Sequence, residues 1–164
     1  MENFDWTSFT RKITIGATID KLYDAWTKPA ELEKWFLKHA EYFDAAGNPI
    51  DKYENISDGS RHEWQWFNFD GVEHGKTHYA NGKDHIQFTF AGDCIVDVHL
   101  SQQENSALVE LTQKNIPTDD ESKVNIRIGC DAGWSFFLVN LKSYYENGHD
   151  LRNKDESIKG LING

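Results

Sequence analysis

The chain has 164 residues with 17 Lys and Arg against 27 Asp and Glu, for a formal net charge of −10. No basic run exceeds Arg11-Lys12, which argues against nucleic acid or an anionic membrane surface as partner. No stretch approaches the ~18 apolar residues of a membrane span, and Met1–Lys12 does not read as a signal peptide, so the cytoplasm is the expected compartment.

In chain order, Phe9–Ile15 alternates as a first strand. Thr18 is placed to cap a helix carrying Leu22 and Trp26 on one face, with Asp20 in its first turn. Pro29 opens a second short helix, Ala30–Phe36, whose Leu32, Trp35 and Phe36 form an apolar stripe. His39–Phe43 reads as a short strand, Gly47-Asn48-Pro49 as a turn, and the polar stretch to Gly59 as a loop. Arg61–Phe69 reads as an aromatic strand with His62, Trp64 and Trp66 on one face. Phe67 and Phe69 fall on the other parity, which predicts a bulge or a strand covered on both sides. Gly75–Ala80 and Asp84–Ala91 flank Asn81-Gly82, a hairpin signal because both residues tolerate positive φ. Strands over Asp93–Gln102 and Ala107–Asn115 follow.

After Pro117 the period changes. Thr118 or Asp119 can cap a helix with apolar positions at Val124, Ile128, Trp134, Phe137, Leu138, Leu141 and Tyr145, and Asn147-Gly148 stops it. That is about seven turns. The residues after His149 are polar and are expected to fray. A strand, two short helices, about six to seven antiparallel strands and one long helix define an α+β fold. The expected organisation is one domain over residues 1–148 with a polar tail over 149–164.

Four segments, taken together, are similar to one known family. They are Thr18–Phe36, Gly59-Ser60-Arg61-His62-Glu63-Trp64, His85–Phe90, and Asp131-Ala132-Gly133-Trp134 followed by Leu138, Leu141-Lys142, Tyr145 and Glu146. In order and spacing they resemble the activator of heat-shock protein 90 ATPase homologue family, within the START-like, birch-pollen-allergen-like helix-grip superfamily. The resemblance implies a curved antiparallel sheet wrapped around the long C-terminal helix, with the two short helices after the first strand. Relatives of this size correspond to the C-terminal domain of the eukaryotic co-chaperone and lack the separate N-terminal domain on which most ATPase stimulation rests. This chain also begins almost directly at the first strand, so the resemblance does not carry co-chaperone activity with it. Asn81-Gly82 stands where many relatives carry a proline-containing turn, a difference of loop geometry.

The aromatic share is 13%, with six Trp, six Tyr and ten Phe. Such residues build either a solid core or the wall of an apolar pocket, and periodicity does not separate the two. In the helix-grip arrangement Trp35, Phe36, Trp64, Trp66, Phe88, Phe90, Trp134 and Phe137 converge between sheet and helix. His62 and Asp131 are the candidate polar groups at the rim. The favoured alternative for His62 is a strand-end histidine bonded to backbone or water, and for Asp131 a solvated or locally paired acid. His74 and His78 lie four residues apart on a strand, about 13 Å, too far to chelate one ion. Cys94 and Cys130 show no CxxC spacing and read as reduced, buried thiols. No G-x-S-x-G, P-loop or Rossmann pattern occurs. No metal or cofactor is expected. The leading expectation is a non-enzymatic binding domain for a small hydrophobic or amphipathic ligand. The alternatives are a chaperone-associated stress-response protein, and a hydrolase or cyclase of the same superfamily that would depend on His62 or Asp131. Monomer and homodimer both stay open.

Overall fold

The computed structural model describes residues 3–162. Seven strands form one antiparallel sheet: β1 (Phe9–Ile15), β2 (His39–Phe43), β3 (Arg61–Gln65), β4 (Glu73–Ala80), β5 (His85–Phe90), β6 (Cys94–Gln102) and β7 (Ala107–Lys114). Their spatial order is β1-β7-β6-β5-β4-β3-β2. A register shift between Thr77 and Tyr79 interrupts the β4–β5 ladder, and a bulge of this kind adds bend and twist. Between β1 and β2 run helices α1 (Ile19–Thr27) and α2 (Pro29–Trp35). Thr18 caps α1 by accepting from the Lys21 amide, and Pro29 stands at the start of α2. The chain ends in a short α3 (Asp120–Ser122), a π-helical stretch over Lys123–Ile128, and α4 (Gly129–Asn147). Gly148 closes α4 in the left-handed conformation, φ 73°, donating to the Tyr144 carbonyl. This is the expected helix-grip fold, and α4 lies across the inner sheet face. No helix of the described residues is long and apolar enough to cross a membrane.

The core forms where α1, α2 and α4 meet that face. Val96, Val98, Leu100, Val109 and Leu111 alternate inward from β6 and β7 and are buried. Trp26 meets Trp35 edge-on at 4.8 Å between ring centroids and Trp134 at 5.9 Å. Phe36 stacks on Trp134 at 5.1 Å, and Phe88 lies 6.4 Å from Trp134. Burying an indole removes roughly 200 Å² from water, worth about 5 kcal/mol before the entropy of ordering it. The indole N–H groups of Trp35 and Trp134 find partners at the Ala25 carbonyl and Gln113 Oε1.

Three expectations are corrected. Val124 and Ile128 were assigned to the buried stripe of the last helix, but both are exposed, at 60% and 52%. The π-helical stretch inserts an extra residue into the turn and rotates the face. Arg127 is buried in their place. It donates to the Asp5 carbonyl and to Asp131 and stands over the rings of Phe4 and Phe9. The aromatic strand expected to reach Phe69 ends at Gln65, because Asn68 turns the chain at φ 58°. The segment after His149 is not frayed at its start. Arg152 is buried and donates to the carbonyls of Leu37 and Glu33 and to Asp150. Asn140 of α4 bonds Asp150 and the Leu151 amide. Asn68 donates to the Asn153 carbonyl, so this segment and the β3–β4 loop hold each other.

Candidate functional site

An apolar cavity of about 450 Å³ lies beneath α4, at the end of the sheet where the β3–β4 loop meets the C-terminal segment. Its wall contains Phe36, Trp66, Phe90, Trp134 and Phe137, five of the ten residues singled out from sequence. Phe36 contacts Phe137 edge-on at 4.9 Å, and Phe90 contacts Trp134 at 5.2 Å. The rings of Phe36 and Trp66 meet at 5.6 Å and those of Trp66 and Phe90 at 6.1 Å. They form a continuous aromatic surface. Phe69, 61% exposed, and Leu161 of the tail complete the wall.

The α4 side of the cavity is open because two helix positions carry no side chain. Gly129 and Gly133, one turn apart, both line it. A Cβ built on Gly133 would meet nothing within 4 Å. Mid-helix glycine costs about 1 kcal/mol relative to alanine, so the space is kept at the expense of helix stability.

The other five sequence candidates lie elsewhere. Trp35, Trp64 and Phe88 are core residues, interlocked with their neighbours behind the cavity wall. His62 is 2% exposed and stacks on Trp64 at 3.9 Å with an interplanar angle of 15°. Neither of its ring nitrogens has a hydrogen-bond partner among the protein atoms, so it is not the backbone-bonded histidine of the alternative reading. Burial, aided by the charge of His74, pushes its pKa down to about 3. The ring fits because its neighbour is Gly75, where an added Cβ would stand 2.3 Å from His62 Nε2. Asp131 is the locally paired acid: its Oδ2 accepts from Arg11 at 2.6 Å and Arg127 at 2.9 Å. Neither His62 nor Asp131 lines the cavity, so an acid–base mechanism built on that pair has no geometry to work with.

The titratable groups of the cavity wall are Glu73 and Cys130, and sequence reasoning missed both. Glu73 is opposite Trp64 in the β3–β4 register, hence on the inner face. Its Oε1 accepts from the Ala91 amide at 2.7 Å, tying down a turn in which Ala91 takes φ 54°. Burial raises its pKa, against the lowering effect of the Ala91 and Gly92 amides. Burial likewise pushes the Cys130 thiol up to about 11, so it stays protonated and is a poor nucleophile. Starting β4 at Gly75 concealed Glu73. Cys130 follows Gly129, and that pairing of a thiol with bare helix backbone was the available signal.

A family model described as Activator of Hsp90 ATPase homolog 1-like protein matches residues 16–146. The chain belongs to this family. Three solved structures that share its fold are distant in sequence. A Staphylococcus saprophyticus protein, SSP2350, is 19% identical with a TM-score of 0.71, covering 88% of this chain and 96% of its own. The Aha1 dimer from Colwellia psychrerythraea is 23% identical with a TM-score of 0.66, covering 86% and 97%. CalU16 from Micromonospora echinospora is 17% identical with a TM-score of 0.61, covering 88% and 77%. At these identities the likeness concerns the fold alone. No curated protein matches the chain. In this chain of the Hsp90-ATPase-activator-like family, the helix-grip scaffold leaves an open hollow at one end of α4, while the core beside it is packed.

Proposed function

We propose that the protein binds a small apolar or amphipathic molecule in the cavity beneath α4. The observation that carries this reading is the aromatic wall of Phe36, Trp66, Phe90, Trp134 and Phe137 facing bare backbone at Gly129 and Gly133. A volume of about 450 Å³ suits one small ligand. Glu73, Asn68 and Asn125 are the polar side chains on a largely apolar surface, and Glu73 and Asn125 would fix the orientation of a hydroxyl or amide on the ligand. Burial of apolar surface at about 25 cal/mol per Å² would drive association.

The test is a panel of fatty acids, flavonoids and polycyclic aromatics, read by tryptophan fluorescence and by melting temperature. Trp66 and Trp134 are in the wall, so a bound ligand alters their emission. Gly133→Leu places a side chain in the space and should abolish the response while leaving the fold intact, since its Cβ meets nothing within 4 Å. A response equal in the parent and in Gly133→Leu would place the ligand elsewhere. No response from any compound would remove the proposal.

A further inference from the structure

On the opposite face of the sheet, away from the cavity, His85, Asp97 and His99 come together. His85 pairs with His99 in the β5–β6 register and Gln87 pairs with Asp97, so all four side chains project from the outer face. The two imidazoles lie parallel, 3.9 Å between centroids at 15°. His85 Nε2 is 2.9 Å from Asp97 Oδ1. One donor atom from each of the three residues falls within 4.8 Å of the others. We propose that His85, Asp97 and His99 bind a divalent transition-metal ion of the Zn²⁺ class.

The chemistry of the donors fits such an ion. Two imidazoles and one carboxylate suit Zn²⁺, Ni²⁺ or Cu²⁺ better than Mg²⁺ or Ca²⁺, which take oxygen donors. Donors about 2.1 Å from a tetrahedral ion stand about 3.4 Å apart. The His85–Asp97 pair therefore opens by about half an ångström and His99 closes onto it. Rotation of the two rings out of their stack supplies that movement, and His99 is exposed and free to turn. Three protein ligands leave the fourth position to solvent.

The carboxylate is already held for this role. Asp97 is 7% exposed, an unusual state for an acid on the outer face of a sheet. Its Oδ2 is paired with Lys114 Nζ at 3.0 Å, and Gln87 Nε2 donates to Oδ1 at 2.9 Å. Groups of this kind orient a ligating carboxylate from behind. The Lys114 charge opposes the ion, and Glu110, opposite His99 in the β6–β7 register, is itself paired with Lys12 at 2.9 Å.

The experiment uses the full chain without a histidine tag, stripped with chelator. Zn²⁺ is titrated calorimetrically, and Co²⁺ serves as a spectroscopic probe of coordination. The expected result is one ion per chain, with affinity falling more than about tenfold in His99→Ala. His99 is exposed, so this variant should fold. His78→Ala, at an exposed histidine of β4, should bind as the parent does. Absence of saturable binding, binding undiminished in His99→Ala, or an equal loss in His78→Ala would each overturn the proposal.

Discussion

His62 makes stability depend on pH in a window where few other groups act. Its ordinary pKa is 6.5, and in the folded chain it lies near 3. Above 6.5 the ring is neutral whether the chain is folded or not, and contributes no pH dependence. Below 6.5 the unfolded chain takes up a proton that the folded chain refuses, so stability falls as pH falls, down to about pH 3. Each pH unit in that window is worth about 1.4 kcal/mol. Between pH 7 and pH 5 the loss from this one residue is therefore about 2 kcal/mol. His62→Leu removes the titrating group together with two buried nitrogens that lack partners. It sacrifices the stack on Trp64, so its stability at pH 7 should stay within about 2 kcal/mol of the parent's. Urea unfolding followed by tryptophan fluorescence at pH 7, 6 and 5 measures the difference. The parent should lose about 2 kcal/mol more than His62→Leu over this range, at unchanged m-value. Parallel pH profiles would refute the argument and show that the ring finds a proton acceptor or water in the folded state.

Glu73 works in the opposite sense. Its pKa is raised on folding, so the half-buried carboxylate disfavours the fold at pH values above its folded pKa, and the disadvantage disappears as pH falls to the ordinary carboxyl range. Glu73→Gln keeps an acceptor for the Ala91 amide without the charge. It should raise the melting temperature at pH 8 and give no gain at pH 4; a loss at pH 8 would show that the charge itself is needed. Arg152→Ala breaks a buried ion pair and two bonds to backbone carbonyls, and should cost about 3 kcal/mol in urea unfolding. Lys154→Ala, at a side chain 48% exposed in its pair with Asp150, should cost under about 1 kcal/mol. Equal, small effects would mean that the tail does not contribute to the stability of the fold.

The strands were legible because half-buried strands alternate: β5 does so in its polar and apolar residues, and β7 in burial along its whole length. The last helix was legible from Trp134 onward but not before it. A single π-turn shifts the face without changing composition, so Val124 and Ile128 still look like core positions while Arg127 does not. The tail was misread for a related reason. One arginine among polar residues gives no sign that the Leu37 and Glu33 carbonyls await it. Five of the eight aromatics line the cavity and three lie in the core behind it, a division the sequence does not show because a ring in a solid core and a ring in a cavity wall obey the same periodicity. What separates them is the residue opposite. A packed core fills every facing position, whereas Gly129 and Gly133 leave two vacant, one turn apart in the middle of a long helix. Each sacrifices helix stability with no turn or positive φ to require it. Those two glycines, more than the aromatics, were the sign in the sequence that the space beneath α4 is left open.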